Sequence, residues 1–293
     1  CLAHEFILGK EAGKMFIQYA QNHAMSVSNG SIYIPVDEIY PGNEWRIFSG
    51  RLSYDKGASI IHMLRHEIQN DELFFDVLKT FQINFGGGTA TGENFKETAE
   101  EITGIDFDQF FDQWYYGQGY PIYNFKYWTD DQHIFYLSSS QSTSSMHTTL
   151  YDMLLDFRLH FADGSDTLVQ FRQTDNLNVF SMECDQKVTF VEADPEQWTL
   201  EEVANISSIG ELEMNLPNFI IGPNPVVDKL HVYFLNTDSI SRKIRIINLA
   251  GQQIFLGETT DNIFKFNTAN LGSGVYFVSV SHGKKTITKK FII

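Results

Sequence analysis

The chain has 293 residues, 43% of them hydrophobic and 20% charged, and a formal net charge of −16 at pH 7. That length supports two or three domains with their own cores, and no apolar run reaches the ~18 residues that a membrane-spanning helix needs. Residues 217–293 hold nine Lys/Arg and four Asp/Glu, a surplus of +5, so residues 1–216 sum to −21; so acidic a part repels phosphates, which excludes nucleic acid as its partner, and the asymmetry points to separately made modules.

The chain opens at Cys1 without an initiator methionine or a charged-then-apolar signal segment. "CLAHEFILGKEAGKMFIQYAQNHA" reads as helix from its start, unlike the polar spacer behind a lipidated cysteine, so a piece of a longer protein is expected. Cys1 and Cys184 make neither a disulfide framework nor a metal-type spacing. Leu2, Phe6, Ile7, Ala12, Phe16, Ile17 and Ala20 fall at helical spacing over residues 1–24. "SNGS" and "YPGN" then mark a loop around the extended piece "IYIPV".

A helix follows in "RLSYDKGASIIHMLRHEI", with Ser53 expected at its N-cap and Asp55 in its first turn. Asn70 caps "DELFFDVLKTFQINF", which stops at Gly86-Gly87-Gly88. Thr91 or Thr89 begins another helix that ends near Gly104, and Asp106 caps "FDQFFDQWYYG". After Pro121 the period becomes alternating. "YNFKYW" and "HIFYLSS" flank "TDDQ", "LYDMLLDFRLHF" and "TLVQFRQ" flank "ADGSD", and "KVTFVEADPEQW" closes a small antiparallel sheet domain. "EEVANISSIGELEMNL" reads as a connector. Short strands with turns at "NLAGQ" and "SHGKK" then suggest a compact β-sandwich.

On a helical wheel, Gly57, Ile60, Ile61, Leu64 and Ile68 form the buried stripe. Asp55, Ser59, His62, His66 and Gln69 share the opposite face, expected to be solvated. His62 and His66 have the i, i+4 spacing of the ligands in an H-E-x-x-H zinc helix, with Asp55 as a conceivable third ligand. The residue after His62 is Met63, however, where a zinc hydrolase needs a glutamate, so solvated bystander histidines are expected. His4-Glu5 in "LAHEFIL" lacks a second histidine. "GGGTATG" at 86–92 follows a helix rather than a strand and reads as a connector, not a phosphate cradle. Tyr54 is one of thirteen tyrosines. A phenol, which when free titrates near ~10, is a neutral donor suited to stabilising an oxyanion.

"RLSYDKGASIIHMLRHEI" followed by "FFDQWYYGQGYPIY" resembles the zinc aminopeptidases of the aminopeptidase N family, in the gluzincin clan. "DPEQW" resembles the close of the β domain that follows in bacterial members. The resemblance covers roughly residues 1–200. It implies a thermolysin-like catalytic region, with zinc held by an H-E-x-x-H helix and a later glutamate. It also implies that the tyrosine of the Tyr-Asp-Lys-Gly run, Tyr54 here, is the catalytic donor to the oxyanion. The ligand motif lies upstream in the family, so zinc belongs to the parent protein, no metal ligand is assigned here, and this chain alone is expected to be inactive. Residues 217–293, with "IGPNPVVDKLHV", "IRIINLAGQQI", "NTANLGSGVYFVSV" and a terminal "KKFII", resemble the type A sorting domain of the type IX secretion system of Bacteroidota. That implies export to the outer-membrane surface or the medium.

The expected architecture is multidomain α+β. Residues 1–121 are the helical C-terminal portion of the catalytic region, 122–200 a small antiparallel β domain, 201–216 a linker, and 217–293 an Ig-like β-sandwich. The expected function is the C-terminal part of a secreted zinc metallo-aminopeptidase, with peptide substrates and the type IX machinery as partners. The alternative is a non-catalytic cell-surface scaffold or adhesive protein exported by the same system.

Overall fold

The computed structural model describes residues 2–130, 132–209, 219–234, 241–282 and 285–293. Cys1, the connector beyond residue 209 and the centre of the "SHGKK" turn lie outside the described residues. The protein combines an α-helical first part with several β-sheets, in two compact units. The first comprises Cys1–Tyr123, Gln141–Thr174 and Val191–Ala204, and the second Asn124–Ser140, Asp175–Phe190 and Asn205–Ile293.

In the first unit the opening helix is broken at Gly9, whose φ of 93° the helix cannot hold. The result is α1 (Leu2–Leu8) and α2 (Lys10–Ala24). A π-helical segment, Gly50–Lys56, runs directly into α3 (Gly57–Ile68). α4 (Asp71–Phe85) is capped as expected by Asn70, whose Oδ1 accepts from the amides of Glu72 and Leu73. α5 (Gly92–Thr103) starts with a reciprocal capping box between Thr91 and Asn94 and ends at Gly104, φ 71°. α6 (Asp108–Phe111) continues as a second π segment, Asp112–Tyr116. Successive packing of α2, α3, α4 and α5 leaves Ile17, Ala20, Met63, Leu64, Phe74, Val77 and Ala99 essentially without solvent contact.

Strands follow as β1 (Pro121–Thr129), β2 (Ile134–Thr143), β3 (Met153–Phe161), β4 (Asp166–Gln173), β5 (Leu177–Glu183), β6 (Val188–Ala193) and β7 (Glu202–Ser208). Two of these differ from the sequence reading: β5 is a strand beyond those expected, and β7 occupies the stretch expected as a connector. The β3–β4 hairpin turns at "ADGSD" with Gly164 at φ 87°, and it belongs to the first unit. Sheet orders are β5-β2-β1-β7 and β4-β3-β6.

In the second unit, β8 (Phe219–Gly222), β9 (Lys229–Phe234), β10 (Arg242–Asn248), β11 (Gln253–Thr259), β12 (Ile263–Asn267), β13 (Val275–His282) and β14 (Lys285–Ile292) form sheets ordered β11-β10-β13-β14 and β12-β9-β8. Alternate residues of both sheets, including Leu230, Val232, Ile244, Ile246, Val278, Val280 and Phe291, make one core. The "NLAGQ" turn is closed by Asn248, whose Oδ1 accepts from Gln252 N, with Gly251 at φ 80°.

Candidate active site

The segment that carries Tyr54 is built by its neighbours. The cap is Ser49 rather than Ser53: its Oγ accepts from Leu52 N at 3.2 Å, and its carbonyl accepts from both Ser53 N and Tyr54 N. That shared carbonyl opens the wide π turn, a feature common at functional sites. Arg51 Nη1 donates to the carbonyls of Ala24, Val27 and Asn29 at 3.0, 3.3 and 3.0 Å. Lys56 Nζ, on a side chain buried from solvent, donates to Gly30 O at 2.8 Å. Burial, with the Arg51 charge second, pushes Lys56 down to about 7; burial and Arg46 lower Arg51. Gly30 is needed: at φ +105° a Cβ would come within 2.9 Å of Arg51 Nη2 and of Leu52 Cδ2.

The residues between these anchors face outward. Tyr54 is 57% exposed, and no described residue hydrogen-bonds its hydroxyl. Asp55 pairs with His23 at the end of α2, Oδ2 to Nδ1 2.5 Å. The arrangement offers a phenol O–H, without a hydrogen-bond partner among the described residues, on a turn held at both ends by the side chains of Arg51 and Lys56.

The histidine face differs from its expectation. His62 and His66 are buried, and Ser59 is inaccessible. The reason lies far along the chain: Trp198 stacks on His62 (centroids 4.5 Å, planes 18°) and on His66 (5.1 Å, 10°), with the Arg65 guanidinium 5.7 Å from its ring centroid. Asp194 holds that strap, accepting from Trp198 N at 2.7 Å and Thr199 N at 2.8 Å. Gln21 Nε2 donates to Gln197 O at 3.2 Å, and Lys14 Nζ donates to Pro195 O. Burial, followed by the charge of Arg65, lowers His62 to about 4. Burial raises Asp194 to about 6 against the amides that donate to it.

These residues do not fit a zinc ion. His66 Nε2 lies 3.1 Å from Asp156 Oδ1, both rings of the pair face Trp198, and Asp55 is turned to His23. Among the described residues, the acidic and histidine groups that converge are Glu100, Asp106 and Asp108. They include no histidine, and Asp108 is engaged by Lys96. The sequence reasoning missed the Arg51 and Lys56 anchors, the His23–Asp55 pair and the Trp198 strap. Lys56, charged in an otherwise inward register, was a usable signal; nothing local marks Trp198 as the partner of His62.

Residues 11–114 match the Peptidase family M1 domain, and residues 221–293 match the Secretion system C-terminal sorting domain. No curated protein matches the chain. Among solved structures, the chain is similar to a Legionella pneumophila aminopeptidase A in complex with aspartic acid, 15% identical with a TM-score of 0.46, over 67% of this chain and 23% of that one. It is also similar to the BSP domain of a biofilm associated protein, 14% identical, TM-score 0.30, over 60% of this chain and 29% of that one. A third is PorZ, a surface component of the type-IX secretion system of Porphyromonas gingivalis, 12% identical, TM-score 0.25, over 57% and 30%. The chain thus spans under a third of the length of each of these structures.

Proposed function

Residues 11–114 belong to peptidase family M1 and residues 221–293 to the type IX C-terminal sorting domains, and on that premise we propose that the chain is the C-terminal part of a secreted zinc-dependent aminopeptidase. Its parts are read as catalytic helices at 1–121, a β domain at 122–200 that continues into β7, and an Ig-like sorting domain at 217–293. The sorting domain implies export to the cell surface or the surroundings. No described helix is long and apolar enough to cross a membrane.

The observation that carries this reading is the exposed phenol of Tyr54 on a turn anchored by Arg51 and Lys56. When a peptide carbonyl is attacked, its oxygen gains negative charge. A phenol O–H fixed beforehand can donate to it without reorganisation, a contribution of about 3–4 kcal/mol. Zinc supplies the activated water in such peptidases, and its ligands are read as lying outside these 293 residues, which contain no H-E-x-x-H.

The test is release of N-terminal residues from peptides by the full-length protein before and after zinc removal, beside the 293-residue chain. Zinc-dependent release by the full-length protein alone supports the reading. Inert full-length protein with zinc bound contradicts it.

A further inference from the structure

The "SNGS" turn contains Asn29-Gly30, the single Asn-Gly step in the 293 residues. Asn29 is exposed. Two carbonyls of the turn are held: Arg51 Nη1 donates to Asn29 O at 3.0 Å and Lys56 Nζ to Gly30 O at 2.8 Å. Among the described residues, however, nothing accepts from the Gly30 N–H or bonds the Asn29 carboxamide. A backbone N–H next to a side-chain amide is a latent nucleophile, and glycine, lacking Cβ, leaves its approach to Asn29 Cγ open. The reactive form is the deprotonated peptide, whose charge is shared by resonance with the oxygen of the same unit. That oxygen is Asn29 O, where the Arg51 guanidinium already donates, so a preplaced cation meets the charge as it develops.

We propose that Asn29 is a self-modification site, at which the chain converts without an enzyme to isoaspartate. Gly30 N gives its proton to hydroxide and bonds to Asn29 Cγ. The Cγ–Nδ2 bond breaks, and the nitrogen takes a proton from water and leaves as ammonia. Water then adds to the α-carbonyl carbon of the five-membered imide, and the bond from that carbon to Gly30 N breaks. The chain now runs through Cβ and Cγ, one methylene longer, with the former Asn29 carbonyl a carboxylate. One water enters and one ammonia leaves, with no change of oxidation state. Arg51 polarises the α-carbonyl, which favours isoaspartate over the aspartate that attack at Cγ would give, and it pairs with the new carboxylate. The conversion uses no part of the Tyr54 phenol and is independent of the proposed peptidase chemistry.

The experiment incubates the 293-residue chain at neutral and mildly alkaline pH, with the synthetic peptide SVSNGSIY as an unfolded reference. Trypsin releases residues 15–46, electron-transfer fragmentation locates the change, and isoaspartyl methyltransferase labels the product. Asn29 should gain about one dalton. It should do so at least about ten-fold faster than Asn22 or Asn43 of the same peptide, which precede the bulkier His23 and Glu44. The rate should rise several-fold per pH unit, as the fraction of deprotonated amide does. It should stay within about ten-fold of the free peptide, because the Arg51 hydrogen bond offsets the ordering of the turn. Asn29→Gln, whose longer side chain would have to close a six-membered ring, should abolish labelling of residues 15–46 while circular dichroism shows unchanged folding. Intact Asn29, conversion more than about ten-fold slower than in the peptide, or undiminished labelling of residues 15–46 in Asn29→Gln would overturn the proposal.

Discussion

Trp198 lies flat on His62, ring centroids 4.5 Å apart and planes 18° apart, and the same indole covers His66. One side chain thereby closes the helix face that carries the histidine pair. Trp198→Ala should cost about 3 kcal/mol of first-unit stability, the low end for a tryptophan because the residue is only half-buried. Trp198→Phe should recover part of that loss. Urea unfolding followed by circular dichroism measures both, and a loss below about 1 kcal/mol, the scale of a surface change, would show that the strap adds little.

Acid should act on the same contact. His62 titrates at about 4 in the fold and near ~6.5 when unfolded, so between these values the unfolded chain holds more protons. Stability is intact above ~6.5 and falls as pH drops toward 4, by up to about 1.4 kcal/mol per pH unit. His62→Gln should flatten that slope. An unchanged slope in the variant would place the acid sensitivity elsewhere.

Asp194 works in the opposite sense. Its folded value of about 6 lies above the unfolded ~3.9. Its contribution is therefore complete below the unfolded value and is lost as pH rises through about 6. Asp194→Asn leaves one of two donated amides without an acceptor, at a cost of about 1–3 kcal/mol near pH 4. The gap to wild type should narrow by pH 7. A gap independent of pH would mean that the carboxyl carries no extra proton.

Local chemistry was legible in the sequence; distant returns of the chain were not. Asn70, Thr91 and Gly104 act where their side chains and backbone freedom suggested, because a cap is decided within four residues. The hairpins at "ADGSD" and "NLAGQ" are local in the same way. Ser53 lost the cap to Ser49, since the π turn begins a full turn earlier than the apolar period indicates. The wheel places Ser59, His62 and His66 on one face of α3 and expects it solvated; the structure buries that face, and nothing local to α3 marks Trp198 as its cover. Tyr54 stood out through the family pattern around it, whereas Arg51 and Lys56 acquire meaning from a loop of carbonyls that only the fold brings near.

Gly30→Ala tests that anchoring loop. The new Cβ meets Arg51 and Leu52 at a φ that alanine adopts poorly, so stability should fall by more than about 1 kcal/mol. In the full-length protein, peptide turnover should fall with it as the Tyr54 turn loosens. Full stability in thermal unfolding would show that Arg51 does not depend on this loop.

The most direct measurement is peptide turnover by the full-length protein carrying Tyr54→Phe. The side chain is exposed and its hydroxyl has no partner among the described residues, so folding should be unaffected while kcat falls about 10²–10³-fold with zinc still bound. Turnover equal to wild type would remove Tyr54 from the chemistry.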